Sequence, residues 1–279
     1  MKLANLLTII LESWAYPDLA EFRKLDSVER KSIDNGYVLE SGDKILAILR
    51  QYNVKTTFFI IGELYEWYPD LIYRIRDEGH EIAYHTHTHD RLTSKEVLLD
   101  SLQRSEGFLK TFEPKGFCAP CVVFQEGYFD ILREYGFRYD CSTYGPCDSC
   151  SEYSGIRELP WTTLPLLKNG RPSGHKSPRG LTASVLAGEI PLGSGYFLAM
   201  IGKRATYFFG RINKQGNVVS AFLHNWQIVK PKKATFPTAG YLFRHPMYLP
   251  YCRDCSAIFE HLLATIPISP IIDFMDAKD

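Results

Sequence analysis

Apolar residues fall into two alternating patterns along the chain. Residues 3–11 form a short apolar run that becomes β-branched towards its end, the signature of a buried strand. Residues 55–61, rich in Thr, Phe and Ile, predict the next strand, and 81–84, 116–118, 137–141, 218–223 and 268–274 predict five more. Between them apolar residues recur at helical spacing. Residues 42–51 place Ile45, Leu46, Ile48 and Leu49 on one side, and 63–78 form a helix ended by Gly79. Thr93-Ser94-Lys95-Glu96 predicts a capping box, with Thr93 as N-cap, opening a helix to about Phe112. Further helices are predicted over 128–135, 195–212 and 255–265. Residues 15–40 are a polar excursion, and 142–195 and 227–255 hold long loops. This alternation predicts an α/β fold of about seven parallel strands joined by crossover helices. No linker divides the chain, so one domain is expected over 1–279, a length that suits a (β/α) barrel.

Charge narrows the range of partners. Lys plus Arg and Asp plus Glu each number 32, so the net charge is zero. Nucleic acid and a polybasic membrane contact are thereby disfavoured. No run of 18 apolar residues exists, so no transmembrane helix is expected. The first residues have a single Lys and no A-x-A site, and they read as a strand rather than a signal peptide. A cytoplasmic protein with reduced thiols is the expectation. Six of the seven cysteines form C-x-x-C pairs: Cys118/Cys121, Cys147/Cys150 and Cys252/Cys255. The last two pairs are candidates to close a structural zinc site, because a tight turn points both sulfurs at one ion; chance pairing of small thiols is the alternative.

Three of the eight histidines stand at 85, 87 and 89, straight after a short predicted strand. Barrels of this class place their active-site loops there. His85 and His89 in one turn can reach one ion from one side. Glu12, at the end of the first strand, would complete a two-His-one-carboxylate set with positions open for water and substrate.

The segment from Gly79-His80-Glu81 through His85-Thr86-His87-Thr88-His89-Asp90-Arg91-Leu92 resembles the GHEIGxHTxxHxxL motif of the polysaccharide deacetylases with the NodB homology domain. Five further blocks follow in the order of that family. Leu7-Thr8-Ile9-Ile10-Leu11-Glu12-Ser13-Trp14 resembles LTIDVEDW, and Gly116-Phe117-Cys118-Ala119-Pro120 resembles GFRAP. Residues 136–142 resemble GFRYDSS, 190–197 resemble LPVGGGGYFR, and Phe222-Leu223-His224-Asn225-Trp226-Gln227 resembles YLHPWE. The resemblance implies a single distorted (β/α)-barrel of about seven parallel strands. It also implies metal-assisted hydrolysis of the amide of an N-acetylated sugar, and so a carbohydrate substrate. It makes Glu12, His85 and His89 the ligands of a divalent metal, with zinc the first choice, leaves His87 a bystander, and makes His224 the acid. Trp226, Trp14 and Pro120 are candidates to contact the sugar, since aromatic faces stack on pyranose rings.

Two departures bear on the chemistry. Ile10 occupies the position of the family's base Asp, and Cys118 that of the Arg paired with it. Their joint loss is physically coherent, because either charge alone would be buried unpaired. Two substitutes for the base are available in the sequence, Glu12 and Asp140. The alternatives are a catalytically weak, metal-containing glycan-binding protein, or another amide hydrolase of the same superfamily acting on a linear or cyclic amide. Oligomeric state is not legible.

Overall fold

In the computed structural model, β1 (Leu6–Leu11) is buried at every position, as a central parallel strand covered on both faces must be. The structure describes residues 4–14, 16, 22, 24–146, 150–165, 189–232, 242–243 and 246–277. The remaining strands of the main sheet are β2 (Thr57–Ile60), β3 (Glu81–Tyr84), β4 (Gly116–Phe117), β5 (Tyr139–Asp140), β6 (Ser151–Tyr153), β7 (Ile156–Glu158) and β8 (Ser220–His224). They form one eight-stranded sheet in the order β8-β1-β2-β3-β4-β5-β7-β6. Every pairing is parallel except that of the edge strand β6 on β7. The α/β barrel class and the parallel core are therefore as expected.

Alternation along the strands sorts the core into two layers. Leu7, Ile9 and Leu11 pack outward with Val38, Leu46 and Leu49 of the helical layer. Leu6 and Ile10 point inward with Phe59, Ala83, Cys118, Tyr139, Cys141, Trp161 and Phe222. The curl of the sheet is bridged back to β8 by backbone: Gly193 N–H donates to Thr162 O at 2.8 Å, and Phe222 N–H donates to Gly193 O at 2.9 Å. Glycine is required there, because a Cβ on residue 193 would collide with Ser220 O and Thr162 N.

The helices on the outer face differ from the expected ones where local chemistry intervenes. The excursion over 15–40 contains α1 (Ser27–Asp34), opened by an Asp26/Glu29 capping box, and α2 (Tyr37–Tyr52) begins earlier than 42. The 63–78 helix breaks at Tyr68 ahead of Pro69 into α3 (Glu63–Trp67) and α4 (Pro69–Asp77). The next, α5 (Lys95–Arg104), has Ser94 rather than Thr93 at its N-cap and lacks a side-chain cap bond. The 195–212 helix divides at Gly202, whose φ is +61°. Residues 268–274 are not a strand: Ile268 makes one bridge to Asn5, and after Pro270 the chain turns helical over Ile271–Asp276. That helix closes the amino-terminal end of the barrel. Ile271 and Met275 join the interior cluster, while Ile271 N–H and Ile272 N–H donate to Thr57 Oγ1 and Glu81 Oε2. No helix among the described residues is long and apolar enough to cross a membrane.

Candidate functional site

The candidate ligands gather at the carboxyl ends of the parallel strands, where open α/β sheets and barrels place their chemistry. Two-residue periodicity along β1 carries the inward face from Ile10 to Glu12. Glu12 is wholly buried, and its backbone N–H donates to Asn225 Oδ1 at 3.1 Å. His85 leaves β3 on the inward face after Ala83, with its N–H donating to Ile60 O at 2.9 Å.

The His-Thr-His-Thr-His run looks strand-like but is not extended. Thr86 and His89 take left-handed backbone conformations, with φ of +61° and +57°. Such positions cost of order 1–3 kcal/mol each and persist only where the surroundings over-determine them. The surroundings do so here. Gly62 and Glu63 N–H groups donate to Thr86 O and His87 O, and His87 N–H donates to Ser101 Oγ at 2.7 Å. Asp90 N–H donates to Thr86 Oγ1 at 2.9 Å, and Asp90 itself pairs with Arg104 at 3.1 Å. The curl brings the His85 and His89 rings to 5.4 Å between centroids. His87 turns away, with Nδ1 3.0 Å from Ser105 Oγ, and serves the loop rather than the centre.

Glu12, His85 and His89 thus each offer a ligand atom, and all three atoms lie within 4.8 Å of one another. Glu12 Oε2 is 3.3 Å from His89 Nε2. His85 Nδ1 lies 2.7 Å from Cys118 O. A carbonyl only accepts, so Nδ1 carries the proton and Nε2 keeps the lone pair for a ligand role. Burial holds His85 neutral by pushing its pKa down to about 3. Two imidazoles and a carboxylate in this arrangement fit a divalent metal.

Next to this set stands His224, at the end of β8 and in register with Ile10. Its Nδ1 is 3.0 Å from Gln227 Oε1 and its Nε2 is 3.6 Å from Glu12 Oε1. Burial pushes its pKa down to about 4, so the ring is neutral near pH 7. The Trp226 ring stacks on His224 at 4.4 Å, and its Nε1–H donates to Glu12 Oε1 at 2.8 Å. Trp226 therefore aims the carboxylate as well as presenting an aromatic face.

These groups open into a cavity of about 250 Å³. His85, His89, His224 and Trp226 line it, and Ile10, Cys118, Trp161 and Phe222 line it as well. Ile10 and Cys118 are 4% and 2% exposed. Among the described residues, neither Asp nor Glu lines it. The Cys118 thiol is kept protonated, first by burial and then by nearby Asp140 and Glu158, and donates to Cys141 O at 3.3 Å.

Several expected residues lie elsewhere. Asp140 alternates with Tyr139 and Cys141, which face the interior, so its carboxylate is on the opposite side of β5 and does not line the cavity. It accepts from Ser142 Oγ at 2.6 Å and Ser142 N at 3.0 Å. Trp14 lines a separate cavity with Asp34, Tyr37 and Lys232. Pro120 is buried, and its neighbours Ala119, Cys121 and Val122 line the main cavity instead. Cys147 lies outside the described residues. Among the described ones, Cys150, Cys252 and Cys255 form no metal-holding group.

Sequence reasoning did not reach Arg91, Tyr144 and Tyr251, which line the cavity. Arg91 alone had a signal, its place in the histidine segment. Nor did it reach the buried support behind His89. Tyr16 stacks on that ring at 6.4 Å and donates to Glu63, which Arg30 grips through two nitrogens. These three positions are scattered in sequence, so no short motif contains them.

Residues 32–139 match the family model described as polysaccharide deacetylase. A peptidoglycan-N-acetylglucosamine deacetylase of Bacillus cereus is 40% identical over 82 residues, 29% of this chain and 29% of that protein. A chitooligosaccharide deacetylase of Rhizobium leguminosarum bv. trifolii is 35% identical over 154 residues, 54% of this chain and 65% of that protein. The chain thus spans less than two thirds of these curated relatives. A crystal structure of a polysaccharide deacetylase-type protein from Mycobacterium smegmatis shares the fold, with a TM-score of 0.60 at 18% identity over 99% of this chain and 90% of that one. The segment that matches the polysaccharide deacetylase model thus carries His85 and His89 of the strand-end site, while Glu12 lies before it.

Proposed function

We propose that the protein is a metal-dependent hydrolase that removes acetyl groups from N-acetylated sugars, with an atypical proton acceptor. The observation that carries this reading is the convergence of Glu12, His85 and His89 beneath a cavity that His224 also lines. These three residues would hold one divalent ion; zinc suits the donor set, as do several other first-row metals. Such an ion supplies Lewis acidity towards the acetyl carbonyl.

The chain's own residues then handle the proton. Hydrolysis breaks the amide C–N bond, adds water oxygen to the acetyl carbon and leaves a proton on the departing amine. A group must take that proton from water and deliver it to nitrogen. Ile10 has no acceptor, Asp140 faces away, and Glu12 belongs to the ligand set. His224 is neutral, with Nδ1 held by Gln227, so its Nε2 is placed to do both. Trp226, Trp161 and Tyr251 give the cavity aromatic faces suited to a pyranose. The two curated relatives are named as deacetylases of peptidoglycan N-acetylglucosamine and of chitooligosaccharide. The buried thiols of Cys118, Cys141 and Cys255 suit a reducing, cytoplasmic setting.

One observation favours a second reading, slow turnover by a glycan-binding protein that retains the ion: the apolar pair Ile10 and Cys118 on the cavity wall. Metal content and acetate release from N-acetylglucosamine oligomers, for wild type and His89→Ala, test both. One ion per chain lost on mutation, with acetate release by wild type, is the expected result. An ion without release supports the slow binder. An ion that survives the mutation assigns metal to the cysteines and overturns the site.

A further inference from the structure

Asp140 is too far round the strand to touch a substrate, yet its hydrogen bonds run to a metal ligand. The directions are fixed by chemistry. Ala119 N–H can only donate, and it donates to Ser142 Oγ at 2.7 Å. The single hydroxyl proton of Ser142 is therefore left for Asp140 Oδ1, 2.6 Å away. The other end of the same peptide unit, Cys118 C=O, accepts from His85 Nδ1–H at 2.7 Å. We infer that Asp140 is a positioning residue for the metal centre, acting on His85 through the Ser142 hydroxyl and the Cys118–Ala119 peptide.

The physical basis is polarisation along a chain of hydrogen bonds in a dry interior. A carboxylate that draws the Ser142 proton makes Ser142 Oγ a better acceptor for Ala119 N–H. Electron density in that amide shifts towards Cys118 O, which then holds His85 Nδ1–H more strongly and raises the basicity of Nε2. Carboxylate–histidine–metal pairs do this by direct contact; here a peptide group and a serine stand between. Asp140, Ser142 and Ala119 are all buried, so water does not compete for the links. A negative charge at Asp140 is sustained by two donors from Ser142, while its neighbour Glu158, its register partner on β7, is pushed well above the usual carboxylate range by burial and by Asp140, and so keeps its proton.

The inference rests on the metal reading above, and its test separates the two. The NMR resonance of His85 Nδ1–H in the metal-free protein reports the relay without any ion. Zinc affinity by chelator competition reports its consequence. Ser142→Ala is expected to move that resonance upfield and weaken zinc about tenfold, the low end for the loss of an outer-shell partner. Ser142→Thr, which keeps the hydroxyl, is expected to restore both. Asp140→Asn keeps the shape, removes the charge and carries the test should Ser142→Ala not fold; the same two shifts are expected. A folded Ser142→Ala or Asp140→Asn with the wild-type resonance and wild-type zinc affinity overturns the relay, because a purely structural turn would lower stability and move neither. Wild type that binds no zinc, or binds it equally well as His89→Ala, overturns the metal reading instead.

Discussion

One side of the cavity is polar and the other is not. Glu12, His85, His89 and His224 converge from the ends of β1, β3 and β8, each oriented by a named partner: Trp226, the Cys118 carbonyl, the Tyr16 ring and Gln227. Beside them Ile10, Cys118, Trp161 and Phe222 belong to the interior apolar cluster. Ile10 and Glu12 are two residues apart on one strand face, so the boundary between the sides is a single step along β1. Residues that hold an ion need only converge, whereas a base must also sit where the proton departs. The structure brings the three candidate ligands together and sets the apolar side chains of Ile10, Trp161 and Phe222 beside them.

Restoring charge to the apolar side is the strongest way to break this contrast. Ile10→Asp with Cys118→Arg is expected to raise acetate release from N-acetylglucosamine oligomers by about 10²–10⁴, the usual worth of a positioned base. A folded, metal-loaded double variant with no gain would show that the missing carboxylate is not what limits turnover. Ile10→Asp alone should instead cost about 3 kcal/mol in denaturant unfolding, because a carboxylate in that cluster lacks its counter-charge. A single variant as stable as wild type would mean that the apolar side admits water.

Much of the contrast was legible in the sequence, and the reasons differ by residue. Strand alternation is a local property, so β1, β2 and β3, and with them Glu12 and His85, followed from period and composition. The unusual histidine run was likewise visible one position at a time, whereas Ile10 and Cys118 stood out only against the pattern of the family the sequence resembles. What failed needed the third dimension or fine register. Asp140 differs from an interior residue only by the parity of β5, a two-residue strand whose register no pattern marks. Trp14 lies just past the end of β1, where alternation no longer dictates direction, and it faces another cavity. The 268–274 segment is as apolar as a strand, but Ser269-Pro270 starts a helix that plugs the barrel end. Tyr16, Arg30 and Glu63 meet only because the fold brings them together behind His89.

Acidic groups have not vanished from the apolar side; they lie behind it. Asp140 and Glu158 are register partners on β5 and β7, both fully buried. Burial raises both, Asp140 from 3.8 to about 6 and Glu158 well above its usual range. Between the unfolded and folded values the native protein binds more protons than the unfolded chain. Stability is therefore full below about pH 4 on this account and falls as pH rises from there through about 6, and further for Glu158. Glu158→Gln removes one ionisation and should flatten that fall by roughly 1–3 kcal/mol between pH 5 and 8 in urea unfolding. A variant with the wild-type slope would place the pH dependence elsewhere.

The smallest expected effect separates the two roles of Trp226. Its ring stacks on His224 and lines the cavity, while its Nε1–H holds Glu12 Oε1. Trp226→Phe keeps an aromatic face and deletes the donor. Losing one outer-shell hydrogen bond to a ligand carboxylate weakens metal binding about tenfold, roughly 1.4 kcal/mol. Chelator competition should show that loss, with glycan binding to the zinc-loaded variant, read by calorimetry, changed less. The reverse pattern, zinc affinity intact and glycan binding lost, would make Trp226 a sugar platform and leave Glu12 to be aimed by its own backbone contact to Asn225. In that case the boundary at β1 would be drawn by the strand alone, and the polar side would owe less to its aromatic neighbour than the geometry implies.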